Sequence, residues 1–421
     1  MKRAGVSSHL IAIIYALLFS FNASAFDDTH KNFLQCLYHN NSTSLSKLVY
    51  TKTNSSYSSI LQFSLQNLRF SYNNTPKPLV IVTPLQPSQV QATVICSQLH
   101  GLQIRIRSGG HDYEGLSYVS QLPFVIIDFI NYRKIQVDVE NRAAWVQVGA
   151  TNATKLVHKW QSVASKLDNN LVLGLLLQTV NSSINKGELT VQALFNGLFL
   201  GGVDKLLPLV QESFPELGLA KEDCTEMSWI ESTLYSSGSY GQQPLEVLLN
   251  RSQVNTDSFK AKSDIITDPI PESGLEGLWR LMFEDEAKDL ELVIFPFGGR
   301  MSEIPESEIP FPHRAGVLYQ IQYSLHWQQK GEEVAQRRIN WMRKLYSYME
   351  PFVSKSPRKA YINYRDLDIG VNNIHGNTSY EQASIWGHKY FNNNFKRLAY
   401  VKTKVDPLNF FRFEQSIPTL V

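Results

Sequence analysis

A short alternating run, Gln103–Arg107, leads straight into Ser108-Gly109-Gly110-His111-Asp112-Tyr113-Glu114-Gly115, and no other stretch limits the fold of this chain as tightly. Ile104 and Ile106 alternate with polar and charged neighbours, as in a half-buried strand. The two glycines allow a sharp turn and close backbone approach. Successive N–H groups in such a turn form a nest for an anion, and Arg107 adds a cation beside it. A phosphate or diphosphate is the natural guest, with His111 next in the chain to reach or bond to the rest of the ligand. Taken alone, a Gly-Gly turn after a strand is more often only a turn. No Gly-x-Gly-x-x-Gly opens a helix here, which argues against a doubly wound dinucleotide site. No His-Glu-x-x-His or close His/Cys cluster is present, which argues against a metal centre.

The surroundings of this loop read as a compact α/β stretch. Helices are expected at Asp28–His39 and Ser58–Leu65, and a strand at Val80–Val82. Ser88 then caps a helix with Gln91 as its capping-box partner. Val90, Val94, Ile95 and Leu99 form its inner stripe, and Gly101 ends it. Strands at Phe124–Asp128, Lys134–Val139 and Ala143–Val148 suggest an antiparallel meander. After Gly149-Ala150-Thr151 the character changes. A helix is expected over 154–167, a strand over 171–180, a strand pair or apolar helix at Leu189–Leu200, and a helix at Val203–Phe214. Further strands fit Leu290–Phe297, Gly316–Leu325 and Tyr361–Leu367, and helices fit Gln328–Met349 and Tyr380–Phe391. This order predicts an α+β domain.

The chain has 421 residues and a net charge of +2, enough for two domains and a large core. No Lys/Arg run is interleaved with aromatics, so nucleic acid is not an expected partner. Lys2 and Arg3, the apolar run Leu10–Phe21 and the small-x-small site Ala23-Ser24-Ala25 predict a secretory signal over 1–25. The apolar run is too short for a membrane anchor. The mature chain is therefore expected to be soluble and secreted. Glycosylation acceptors begin at Asn40, Asn41, Asn54, Asn73, Asn152, Asn181, Asn250 and Asn377. In an oxidising compartment Cys36 and Cys96 could pair. Cys224, flanked by Glu222, Asp223 and Glu226, reads as an inert thiol.

The run Arg105-Ile106-Arg107-Ser108-Gly109-Gly110-His111-Asp112-Tyr113-Glu114-Gly115-Leu116-Ser117-Tyr118 resembles, almost letter for letter, the first flavin loop of the berberine-bridge-enzyme-like oxidases of plants. So do Glu222–Ile230, Ile309–Gly316, Asn363–Asp368 and Asp406–Phe411 in their respective places. The resemblance implies a PCMH-type FAD-binding domain, of the vanillyl-alcohol-oxidase kind, and an α+β substrate domain with an antiparallel sheet. It implies FAD cradled by Arg107, Ser108, Gly109 and Gly110, bonded covalently through His111 and contacted by Asn409. It also implies a Cys36–Cys96 disulfide. Tyr364 matches the family's catalytic or substrate-contacting tyrosine and Gln322 a polar active-site residue, with Tyr113 beside them. Gln320, two residues along the same strand face, sits where alcohol-oxidising relatives often carry lysine. The implied reaction oxidises an alcohol, sugar or secondary metabolite, with dioxygen as electron acceptor and hydrogen peroxide as product, in a monomer.

One block of the family pattern is absent. The sequence passes from Gly149-Ala150-Thr151 directly to Asn152-Ala153-Thr154, which resembles the far side of a segment on the order of a hundred residues, the size of a small domain. That segment carries a second, cysteinyl flavin bond and a poly-glycine loop. The expected layout is a shortened flavin domain over 26–151, a substrate domain over 152–360 and a segment over 361–421 returning to the flavin domain. Losing ~1,500 Å² of apolar contact would forfeit up to ~35 kcal/mol, against a net domain stability of ~5–15 kcal/mol. The remainder must then rearrange or find a partner. The alternative reading is an inactive secreted glycoprotein that keeps a binding domain for a sugar or other small molecule.

Overall fold

The computed structural model describes residues 29–39, 45–131, 142–150, 153–181, 189–236, 244–249 and 257–420. The expected signal segment and the expected strand Lys134–Val139 lie outside the described residues. Contacts divide the chain into two compact units. One gathers the described residues of Met1–Ser64, Asn74–Gly110 and Leu116–Lys134; the other gathers those of Leu65–Asn73, His111–Gly115 and Ile135–Val421.

The first unit begins with helix α1 (residues 29–39). It continues with β1 (Val49–Thr51), α2 (Tyr57–Phe63), β2 (Val80–Val82), α3 (Pro87–Leu99), β3 (Gln103–Arg107) and β4 (Phe124–Asp128). The sheet order is β1-β2-β4-β3. β4 runs parallel to both neighbours, with Val125 opposite Val80 and Ile104. β4 therefore departs from the expected antiparallel meander, while the pairing expected for Lys134–Val139 lies outside the described residues. Phe124-Val125-Ile126-Ile127-Asp128 is buried along its whole length, as a central parallel strand must be, and the β2-α3-β3 crossover brings a neighbour to each edge.

Helix α3 also differs in detail. Pro87 is its first residue after Gln86, a position where a missing N–H costs nothing. The Gln89 side chain, not Gln91, reaches back to accept from the Leu85 and Gln86 N–H groups at 2.7 and 3.2 Å. Its buried face is Gln89, Ala92, Thr93, Cys96 and Ser97, whereas Ile95 and Leu99 are 52% and 68% exposed. The inward hydroxyls are satisfied on the helix itself, Thr93 on the Gln89 carbonyl and Ser97 on the Thr93 carbonyl. Cys96 faces inward because it is bonded to Cys36. Phe33 and Leu37 of α1 close this core against Val49 and Val80.

The second unit contains β5 (Arg142–Ala150), α4 (Ala153–Val163), β6 (Leu171–Asn181), β7 (Leu189–Phe199), α5 (Val203–Ser213), β8 (Cys224–Ser228), α6 (Trp229–Ser236) and β9 (Ser258–Ile266). There follow α7 (Glu272–Met282), β10 (Leu290–Pro296), α8 (Arg300–Glu303), β11 (Tyr319–Trp327), α9 (Glu332–Met349), α10 (Tyr380–Phe391) and α11 (Asn394–Val405). One seven-stranded sheet, ordered β8-β5-β7-β6-β10-β11-β9, carries them, and every adjacent pair is antiparallel. Residues 189–199 form one strand, which resolves the open reading there.

Two expectations change. β5 lies between β7 and β8 in this sheet, so a strand assigned by resemblance to the flavin domain has its backbone groups satisfied in the other unit. By contacts, the described residues from 142 onward, those of 361–420 included, group in the second unit. Tyr361–Leu367 is not a strand: its Tyr361 N–H goes to the Ser263 hydroxyl and its Tyr364 N–H to the Tyr361 carbonyl, so no ladder forms.

β11 shows how the sheet separates core from site. Tyr319, Ile321, Tyr323, Leu325 and Trp327 point to one face and are at most 2% exposed. They pack in one core with Trp160 of α4, Leu278 of α7, and Trp341 and Leu345 of α9. Each such side chain contributes roughly 1.5–3 kcal/mol by leaving water. By strand alternation, Gln320, Gln322, Ser324 and His326 point to the opposite face. Among the described residues, no helix is long and apolar enough to cross a membrane.

Candidate functional site

In the first unit, β3 ends in the glycine turn as expected, but Arg107 is not free to face a ligand. Its side chain is fully buried. Nε and Nη2 donate to Asp128 Oδ2 at 3.1 and 2.7 Å, Nη1 to the Leu61 carbonyl at 2.7 Å, and Nη2 to the Ile60 carbonyl at 2.8 Å. Its guanidinium thus ties β3 and β4 to the end of α2. Gly110 has φ +71°, and a Cβ there would lie 1.9 Å from the Ser64 carbonyl oxygen. Only glycine fits both constraints. Ser108 is exposed, Gly109 half-buried and Gly110 buried.

His111 opens a segment of the second unit and is exposed. Behind it Asp112 makes a tight turn: its Oδ1 accepts from Glu114 N at 3.0 Å and its carbonyl from Gly115 N at 3.0 Å. Gly115, at φ +70°, leaves room for the Phe70 ring, 2.7 Å from where a Cβ would sit. Arg365 Nε holds the other Asp112 oxygen at 2.8 Å. The turn aims Tyr113 at the polar face of β11.

There three of the expected residues meet. Gln322 Nε2 donates to the Tyr113 hydroxyl at 2.8 Å. Tyr113 stacks on Tyr364 with ring centroids 5.6 Å apart and planes 6° from parallel. Phe259 and Tyr361 close the edges, at 5.3 Å from Tyr113 and 5.1 Å from Tyr364. Burial, and then the facing Tyr364 phenol, push Tyr113 up to about 12, which the Gln322 hydrogen bond only partly offsets. Burial and Tyr361 also raise Tyr364. Gln320, on the same face, is 5% exposed and brings no charge.

The far side of the edge strand β9 holds residues that sequence reasoning missed. Lys260, Lys262 and Asp264 alternate with Phe259, Ala261 and Ser263. Such a charged alternation reads as a solvent-facing strand, yet all three charged residues are buried. Lys260 Nζ bonds Glu114 and lies 2.8 Å from Asp366; Lys262 Nζ lies 2.7 Å from Asp366 and 2.8 Å from Asp368. Burial works to lower the Lys260 ammonium, but Glu114, Asp366 and Asp368 outweigh it and hold it above the usual lysine value. Burial likewise works to raise Asp368, but Arg343 and the two lysines hold it well below the usual carboxylate range. Asn67 covers the strand edge, pairing with both the N–H and the carbonyl of Phe259 and with the Tyr113 carbonyl.

Two family models match the chain: "FAD binding domain" over residues 78–183 and "Berberine and berberine like" over 360–418. A tetrahydroberberine oxidase of Berberis wilsoniae is 39% identical, with 93% of this chain and 94% of the relative aligned. The chain belongs to the berberine-bridge-enzyme-like family of FAD-linked oxidoreductases. Berberine bridge enzyme-like 18 of Arabidopsis thaliana is 38% identical over 94% of this chain and 93% of its own length. Among solved structures, berberine-bridge-enzyme-like protein 28 from Arabidopsis thaliana superposes with a TM-score of 0.84 at 34% identity, covering 93% of this chain and all of that one. Phl p 4, a grass pollen allergen with glucose dehydrogenase activity, gives 0.84 at 30% identity, covering 92% and 100%. The alignment with the Berberis relative spans 508 positions yet takes in only 93% of 421 residues, so more than a hundred of its positions have no counterpart here.

The residues that remain can be tested against the family's FAD. Gly110 of the glycine turn lies in the left-handed region. His111 is accessible. Asn409, after α11, is 8% exposed with φ +49°, and its buried Oδ1 has no hydrogen-bond partner among the described residues. An orphaned acceptor of that kind fits a ligand N–H. Each taken in its own unit, the glycine turn fits a diphosphate, and His111 and Asn409 fit contacts to FAD. A separate groove of about 1220 Å³ is lined in part by Asp289, His326, Trp327 and Arg338.

Proposed function

We propose that this chain is a secreted flavoprotein oxidase acting on a C–H bond beside a hydroxyl of an alcohol, sugar or secondary metabolite. The observation that carries the reading is the cluster of Tyr113, Gln322 and Tyr364, drawn from three distant segments onto one face of β11. Ser108, Gly109 and Gly110 would hold the diphosphate of FAD on their backbone, Asn409 would offer its free amide oxygen, and His111 would bond to the ring system. FAD, when bound, would supply the hydride acceptor, with dioxygen then reduced to hydrogen peroxide. Gln322 fixes the Tyr113 hydroxyl, and the pair fixes the plane of Tyr364. The Tyr364 phenol takes the substrate hydroxyl proton only when ionised, and burial makes ionisation rare at pH 7. Gln320 leaves it without the cation that would correct this. The site is therefore a slow, alkaline-favouring one.

Secretion fits the Cys36–Cys96 disulfide and the exposure of the acceptor asparagines Asn54, Asn73, Asn181 and Asn377. Cys224 fits the inert reading, since burial and then Asp223, Glu222 and Glu226 raise its thiol.

The second reading, an inactive glycoprotein, is favoured by the hundred-odd family positions without a counterpart. Expression of the secreted chain with excess FAD separates the two. A yellow acid precipitate, and peroxide formation with a panel of oligosaccharides and aromatic alcohols, support the oxidase. A colourless folded protein that yields no peroxide sinks it.

A further inference from the structure

We propose that Lys260 is a positioning residue: its ammonium joins Glu114 to Asp366 and thereby sets the Tyr113–Tyr364 stack. The proposal deepens the reading of the tyrosine cluster as the reacting site and rests on it. Glu114 directly follows Tyr113, and Asp366 lies two residues after Tyr364. The two loops pass the same edge of the sheet, so that the tyrosines lie on one side of β9 and the carboxylates on the other. Lys260, 3% exposed, bonds both carboxylates. A weaker contact, Leu367 N to Glu114 Oε1 at 3.4 Å, joins the same two loops. Asn67 also fixes Tyr113, through its carbonyl.

Charge supports a positioning role over simple stabilisation. Around Lys260 lie three carboxylates, Glu114, Asp366 and Asp368, matched by Lys260, Lys262, Arg69 and Arg343. Replacing such a buried network with apolar side chains is often neutral for stability, whereas its directional bonds fix one geometry. Lys262 is a built-in comparison. It is on the same strand, is equally buried, and bonds Asp366 and Asp368 but not Glu114. It therefore holds the Tyr364 loop alone.

The test compares Lys260→Met, Lys262→Met and Glu114→Gln with the parent in the full chain. Amide exchange is followed by mass spectrometry, and the tyrosine band by near-ultraviolet circular dichroism. Tyr113→Phe and Tyr364→Phe define what the stack contributes to that band. Lys260→Met is expected to speed exchange at least about tenfold in both 112–116 and 363–368 and to remove the stack signal, leaving α9 and β11 unchanged. Lys262→Met is expected to loosen only 363–368. Glu114→Gln, which keeps side-chain volume should the lysine variants fail to fold, is expected to loosen only 112–116. In protein that turns over, Lys260→Met lowers kcat about a hundredfold with little change in KM, as misplacement by about an ångström does. Parent-like exchange and dichroism in Lys260→Met, or equal effects of Lys260→Met and Lys262→Met on 112–116, overturn the proposal. Exchange and dichroism need no flavin, so a failure of the oxidase reading shows separately, as absent colour and peroxide.

Discussion

Replacing Arg107 by methionine separates a scaffold role from a ligand-facing one. The parent side chain is sealed from solvent and makes four hydrogen bonds, two to Asp128 and two to the carbonyls of Ile60 and Leu61. Methionine keeps most of the volume but leaves a buried carboxylate, itself 1% exposed, without its partner. Removing one member of such a pair costs about 3–5 kcal/mol, a large share of a domain's ~5–15 kcal/mol. A loss of about 4 kcal/mol corresponds to roughly a thousandfold faster exchange of amides that open with the unit. The assay is hydrogen exchange of peptides from β3 and β4 in flavin-free protein. All seven tryptophans lie in the second unit, so their fluorescence reports whether that unit stays intact. Arg107→Met/Asp128→Leu, which removes both charges, is expected to recover most of the loss. If Arg107→Met leaves β3 and β4 exchange as in the parent and weakens only flavin retention, Arg107 faces the ligand after all and the scaffold argument is wrong.

Four further outcomes follow from the geometry. Peroxide formation should rise nearly tenfold per pH unit from pH 7 to 9, because the Tyr364 phenol acts when ionised and its pKa lies above 10. Gln320→Lys, which puts a cation on the strand face that carries Gln322, should move that profile toward acid; an unmoved profile contradicts tyrosine as the base. His313 is lowered to about 4 by burial, then by Lys359. Its unfolded form binds a proton that the folded form does not, so stability is full above pH ~6.5 and falls by about 3 kcal/mol toward pH 4. His313→Gln should flatten that part of a thermal-denaturation series. Cys36→Ser/Cys96→Ser opens a loop of 60 residues and should cost about 4 kcal/mol in urea unfolding.

Legibility from sequence followed the physics of each segment. Strands β2, β3 and β4 and helix α10 were readable because apolar period and end signals agree with their final environment. Helix α3 was found, but its inner stripe was misread. Thr93 and Ser97 satisfy their hydroxyls on their own helix, so small polar side chains could face inward while Ile95 and Leu99 remained outside. β9 was missed because Lys260, Lys262 and Asp264 look solvent-facing until Glu114, Asp366 and Arg358, all far away in sequence, come to pair with them. Tyr361–Leu367 has a strand's alternation but pairs through side chains. At the site, the spacing of Gln320 and Gln322 gave a shared face directly. The meeting of Tyr113 with Tyr364 required the resemblance, since nothing local links residues so far apart in the chain. The place of β5 in the second sheet depends on what neighbours remain to it, which no local pattern encodes.

The bond between His111 and the cofactor is best read from mass. Trypsin releases the peptide from Ser108 to Arg133. In protein secreted with FAD, that peptide should carry the mass of a flavin, with fragment ions placing it on His111. The same peptide recovered wholly unmodified, from protein whose disulfide and second unit are intact, would contradict the account.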